Sequence, residues 1–275
     1  MLISYQYTWK MPKITRPKIG MKSVRKPTKS RRTKKVSTKF SPRTVAKPRH
    51  TKTVARKPGA KSSRPWTPAE VREAFGRFRT ANPDPKGELE HLNPFTLLVA
   101  VVLSAQATDA GVNRATRSLF AVADTPQKMV ALGEEKLRDY IKTIGLYRTK
   151  AKNVIALSEK LINQFGAEVP RSRAEIESLP GAGRKTANVV LNMAFGERTL
   201  AVDTHVFRVA NRTGLAPGKT PLEVELGLER VIPDEFMLHA HHWLILHGRY
   251  TCLARKPRCE VCLINDLCRW PEKTV

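Results

Sequence analysis

Three groups of residues in this 275-residue chain have types and spacings suited to chemistry. The first is Lys185, just after Gly181-Ala182-Gly183-Arg184 in the stretch 179–190. Glycines in a short turn leave backbone N–H groups open to close approach. A helix starting there points its positive end at the same place, which favours an anion such as a DNA phosphate. Lys185, in the first turn of that helix, opposes the helix dipole, so its proton should leave more readily, and a free amine is a nucleophile. The competing reading is a solvated surface lysine. The second is Asp203, eighteen positions on and ahead of a helical pattern. It reads as a helix N-cap, a catalytic carboxylate, or both. The third is Cys252, Cys259, Cys262 and Cys268, separated by six, two and five residues. A secreted disulfide framework would spread its cysteines along the chain. The cluster suits four thiolates on zinc or on a [4Fe–4S] centre. Arg255, Lys256 and Arg258 lie between the first two cysteines and could grip phosphates or form a solvated charge run.

The elements that would position these groups read as helices. Ser172-Arg173-Ala174-Glu175 has the capping-box pattern, and Pro180-Gly181 reads as a helix stop. After Gly183, the residues Ala187, Val190, Leu191 and Ala194 recur at helical spacing, so the glycines join two helices. Thr67-Pro68-Ala69-Glu70 is a second capping box, with Trp66 and Val71 placed as a hydrophobic staple. Asn93-Pro94 opens a helix whose residues 95–103 are apolar nearly all round, which predicts burial. Its β-branched residues also permit a strand, but no alternating partner is present. Gln106 stands at the polar end of that helix. Further helices are predicted from Thr108 through Phe120, from Thr125-Pro126 to Gly133, and over 137–144, 150–165, 206–213, 221–232 and 235–248. Leu146 and Tyr147 fall on a turn, where exposed apolar residues serve as satellite packing or as a wedge in a base stack. His239, His241, His242 and His247 share the last helix, but no carboxylate completes a metal site with them, so core and surface roles are expected. Nothing alternates with period two, and the fold class is all-α.

Net charge is +26, concentrated at one end. Residues 1–64 contain 21 Lys and Arg and no acid, and the remainder nets +5. Such a tail reads as disordered and suits nucleic acid or an anionic membrane. Met11 and Met21 are alternative starts. An acid-free start rich in Arg, Ser and Thr also fits an organellar transit peptide, although a secretory signal core is lacking. No apolar run is long enough to span a membrane.

The stretch 179–190 with Lys185, followed by Val202-Asp203-Thr204-His205, resembles the helix-hairpin-helix and Gly-Pro-Asp region of the endonuclease III family of DNA glycosylases. The runs 103–109 and Ile144-Gly145-Leu146-Tyr147 and the six-two-five cysteine spacing extend the resemblance over about 66–270. Ala201-Val202 replace the family's Gly-Pro, but the carboxylate is kept. The resemblance implies two helical domains with a cleft between them. One is 87–197, with the hairpin; the other is 65–86 plus 198–275, with a [4Fe–4S] cluster on Cys252, Cys259, Cys262 and Cys268. It implies that Lys185 is the nucleophile, that Asp203 is its acid–base partner, and that Gln106 and Leu146 fill the gap left by an extruded nucleotide. Gly181, Gly183, Arg184, Lys256 and Arg258 would hold the DNA. The implied activity is bifunctional: a glycosylase and abasic-site lyase excising oxidised pyrimidines. The implied setting is a monomer on double-stranded DNA with a damaged base or abasic site, in the cytoplasm and associated with the nucleoid, with no membrane partner. The residues also allow a monofunctional glycosylase, against which Lys185 argues, or a non-catalytic iron–sulfur DNA-binding protein.

Overall fold

A computed structural model describes residues 64–274, and the readings made for the basic tail lie outside them, Arg64 excepted. Among the described residues there is no strand. Nor is any described helix long and apolar enough to cross a membrane.

The first helix, α1 (Pro68–Ala81), starts at the predicted capping box: Glu70 N–H donates to Thr67 Oγ1 at 3.2 Å and Thr67 N–H donates to the Glu70 carboxylate at 2.7 Å. Next, α2 (Pro94–Ser104) buries every residue from Phe95 to Leu103. Its start is reciprocal too, with Thr96 in the place usually held by Glu or Gln. Thr96 N–H donates to Asn93 Oδ1 at 2.9 Å, and Asn93 N–H donates to Thr96 Oγ1 at 2.9 Å. Around α2 lie α3 (Asp109–Phe120), α4 (Pro126–Leu132), α5 (Glu134–Ile141), α6 (Tyr147–Phe165), α7 (Arg173–Glu177) and α8 (Arg184–Phe195). They close one apolar core that includes Leu98, Leu103, Leu119, Met129, Leu137, Leu157, Leu161 and Val190.

A second core joins both ends of the described chain. It packs α1 against α9 (Thr204–Thr213), α10 (Pro221–Val231) and α11 (Asp234–Tyr250). Phe75 of α1 stands 5.8 Å from Phe236 and 6.2 Å from Trp243, ring centre to ring centre. Arg269, beyond the last cysteine, donates to Glu70 at 2.7 Å and holds that carboxyl near a pKa of about 2. A small patch of Leu97, Val101, Val189 and Ala201 connects α2 and α8 to the segment leading into α9.

Several boundaries differ from the sequence expectation. The helix expected over 137–144 is α5, which starts three residues earlier because Gly133, at φ +80°, both ends α4 and opens α5. Tyr147 lies in α6, not on a turn. Ser172 makes no side-chain cap bond, and α7 stops at Glu177, short of Pro180. Five residues form barely more than one turn, so packing of Ile176 rather than a cap holds α7.

Asn93 caps α2 and also donates from Nδ2 to Asp124 O at 2.9 Å. Asn93→Ala should therefore cost about 1–2 kcal/mol of unfolding free energy, at the upper end for a lost cap. A urea titration with unchanged slope checks this through the shift in midpoint.

Candidate active site

The hairpin occupies Ser178 to Gly183, between α7 and α8. Its two glycines serve different ends. Gly181 has φ +80°, and a side chain there would come within 2.9 Å of Asn153 Nδ2 and 3.2 Å of Val102 Cγ1. The turn is thus seated against α6 and α2, and only glycine fits. A side chain at Gly183 would meet open space. Gly183 is the N-cap of α8, and no side chain caps that helix end. Its first N–H groups are left facing outward, which is the arrangement that binds an anion.

Lys185 stands exposed in the first turn of α8 and lines a cleft. The opposite wall is α11, through His241, His242, Ile245 and Arg249. Asp203 is the N-cap of α9, and both capping bonds, from His205 N–H at 2.9 Å and Val206 N–H at 2.8 Å, go to Oδ1. Cap and available carboxylate oxygen therefore coexist in one side chain. Lys185 and Asp203 make no ion pair within 4.0 Å among the described residues, yet both act on the same imidazole. Burial, then His242, lowers the pKa of His241; Asp203 pulls it up and Lys185 pushes it down. Lys185 and His241 line the cleft, and Asp203, at the start of α9 and outside that lining, is near enough for its charge to reach His241. Arg249 spans the cleft, with Nη2 2.6 Å from Asp109 and Nη1 paired with Glu88.

Gln106 and Leu146 sit on neighbouring loops. Both are exposed and both have left-handed backbones, at φ +54° and +60°. A side chain at Gly145 would lie 3.8 Å from the Gln106 carbonyl, so the loops touch. Non-glycine residues in this region carry strain, which clusters at functional positions. Sequence patterns carried no sign of that strain.

Arg184 is placed differently from expectation. Its Nε donates to both Glu225 oxygens, at 3.0 and 3.1 Å, and Nη2 lies 2.8 Å from Oε1. Glu225 is 3% exposed. This pairing fastens the start of α8 to α10 through the Nε–Nη2 edge, while the Arg184 side chain stays 38% exposed.

The cysteine loop is held mainly by two arginines of α9 that the sequence reading passed over. Arg208 donates to Gly248 O at 2.7 Å and Cys252 O at 3.1 Å. Arg212 donates to Leu253 O at 2.5 Å and Ala254 O at 3.0 Å, and its guanidinium lies 4.6 Å from the Trp270 ring centre. Their spacing of four on one amphipathic helix was the available signal. Two thiols already have donors: Arg212 Nη1 at 3.5 Å from Cys252 Sγ, and Trp270 N–H at 3.5 Å from Cys268 Sγ. Burial pushes the Cys262 thiol up to about 11 and raises Cys268 as well, and the other cysteines contribute to both shifts. Yet no group of three or more ligand side chains among the described residues is placed to hold one metal ion. Four cysteines on one short loop, with N–H donors at the sulfurs of Cys252 and Cys268, suit a [4Fe–4S] cluster, whose sulfur ligands take such donors. Lys256, at φ +49°, and Arg258 are both exposed on this loop, and Arg258 N–H donates to Thr251 O at 2.9 Å.

Residues 99–234 match the model of the HhH-GPD superfamily of base excision DNA repair proteins, and 252–268 match the iron–sulfur binding domain of endonuclease III. Endonuclease III of Treponema pallidum (strain Nichols) is 61% identical over 198 residues, which is 72% of this chain and 94% of that protein. Endonuclease III of Escherichia coli (strain K12) is 59% identical over 201 residues, 73% of this chain and 95% of that one. A solved trapped endonuclease III–DNA covalent intermediate superimposes with a TM-score of 0.70 at 47% identity, covering 74% of this chain and 96% of its own. The chain belongs to the endonuclease III family, the base excision DNA repair glycosylases that carry a helix-hairpin-helix and a [4Fe–4S] loop.

Proposed function

We propose that the chain is a bifunctional glycosylase and abasic-site lyase that removes oxidised pyrimidines from duplex DNA. The observation that carries this is the amine of Lys185 lining the cleft, with the carboxylate of Asp203 unpaired to it yet near enough that both charges bear on His241. A base inside the duplex is out of reach, so the damaged nucleotide must leave the stack. The outward N–H groups at Gly183 and the start of α8 hold a backbone phosphate. Gln106 and Leu146, on touching strained loops, enter the vacated stack. Lys185 Nζ then attacks C1′ as the glycosidic bond breaks, and the electron pair of that bond leaves with the base, which takes up a proton. Asp203 accepts the proton that the attacking amine sheds. Opening of the sugar gives a Schiff base, loss of a C2′ proton follows, and the 3′ phosphate departs.

Arg184 fixes α8 through Glu225, and the exposed remainder of its guanidinium contacts the DNA backbone. Lys256 and Arg258 supply phosphate contacts from the cysteine loop. Bound to Cys252, Cys259, Cys262 and Cys268, the [4Fe–4S] cluster supplies the fixed points that shape this loop. All the groups of the scheme lie in one chain, which supports action as a monomer. The 21 tail cations support residence on nucleoid DNA.

Three outcomes are expected. Lys185→Ala should bind abasic-site DNA but give no borohydride-trapped adduct and no strand cleavage; trapping at wild-type yield would assign the nucleophile elsewhere. Asp203→Asn should keep the α9 cap, since Asn also caps, while turnover falls by about 10²–10⁴; near-normal turnover would leave Asp203 only a cap. Purified protein should contain about four irons per chain, and Cys259→Ser should lose both iron and the folded loop. A colourless active protein with one zinc would contradict the cluster assignment.

A further inference from the structure

Among the described residues that line the cleft, His242 alone has buried polar atoms with no partner. Both its ring nitrogens are withdrawn from solvent and make no hydrogen bond, and the residue is only 7% exposed. Unpaired buried donors and acceptors are costly, and native proteins keep few of them without a use. The ring is firmly placed. It packs at 66° against His241, with ring centres 5.2 Å apart. His241 is pinned in turn by Nδ1–H, which donates to Ala201 O at 2.9 Å, because a carbonyl can only accept.

One of the two idle nitrogens, Nε2, lies close to Gly87, another lining residue. The point where a Gly87 side chain would begin lies 3.4 Å from His242 Nε2 and 2.6 Å from Met193 Cε. Nε2 therefore lies at the Gly87 wall of the cleft, beside the tip of a flexible thioether that readily moves aside. Burial first, and His239 second, lower the His242 pKa to about 4, so the imidazole is neutral near pH 7. A neutral imidazole offers one donor and one acceptor. The apolar part of the lining, Leu89, Val101, Val189 and Ile245, suits the faces of a flat or puckered ring, and Ser104, Asp109, Lys185 and Arg249 make up much of the remainder.

We infer that His242 hydrogen-bonds the polar edge of the base drawn into the cleft, and so sets which bases are excised rather than how the strand is cut. The ligand class is a pyrimidine damaged at C5 or C6 that keeps its N3–H and flanking carbonyls, a donor between two acceptors. This rests on the glycosylase–lyase reading above.

The test uses full-length protein loaded with its cluster and two duplexes, one with a single 5,6-dihydrothymine and one with a preformed abasic site, which has no base to recognise. The quantity measured is the single-turnover rate of base removal divided by the rate of cleavage at the abasic site. His242→Phe should lower this ratio by about ten- to a hundredfold, the scale of one buried hydrogen bond. His242→Gln, which keeps a donor and an acceptor, should recover most of it. A ratio within twofold of wild type for His242→Phe would make His242 a packing residue and overturn the inference. So would equal losses for Phe and Gln, since the donor–acceptor role would then be absent. If wild-type protein does not cleave the abasic-site duplex, the glycosylase–lyase reading itself fails, and that result precedes any His242 variant.

Discussion

A helix with no polar side cannot lie on a surface. That constraint governs α2, whose residues from Phe95 to Leu103 are all buried. Other helices must wrap it on every side, and only its ends can reach water. The C-terminal end delivers Gln106 to the surface, beside the loop that carries Leu146. One side of α2, through Leu97 and Val101, meets Val189 of α8 and Ala201 ahead of α9. The same apolar rod therefore lines part of the cleft through Val101 and ties the helix of Lys185 to the segment that leads into Asp203.

The helix ends then divide the work. The start of α9 is saturated by Asp203, which spends one oxygen on two N–H groups. The start of α8 has no side-chain cap, so its positive end is available to a ligand. Arg184, at that same end, would be expected to meet an anion from solution, but Glu225 already supplies one. A buried carboxylate needs a partner of this kind, since leaving it alone would be strongly unfavourable.

Much of this was legible in the sequence. The helical class, the caps at Thr67, Asn93, Thr108 and Thr125, the hairpin glycines and the four cysteines all announce themselves through local chemistry. What was hidden depends on distant partners. Ser172 has the pattern of a capping residue but makes no side-chain cap bond on a helix of five residues. Arg184 looked free because Glu225 lies forty-one positions away. Arg208 and Arg212 drew no reading, because the carbonyls they bind lie forty or more positions away, at Gly248 and Leu253. The left-handed backbones at Gln106 and Leu146 are imposed by the surrounding packing, not by residue type.

The second core is discontinuous: α1 packs with helices from the far end of the chain. A ribosome releases α1 long before α11, whereas the helices around α2 emerge together and can close at once. At about 5–20 residues per second, α1 waits on the order of 10–30 s before Phe236 and Trp243 exist to receive Phe75. During that interval Val71, Phe75 and Phe78 form an apolar stripe without a partner. The nascent chain is thus a finished half-protein with a sticky leading helix, and birth of the second half is the interval in which a chaperone has something to hold.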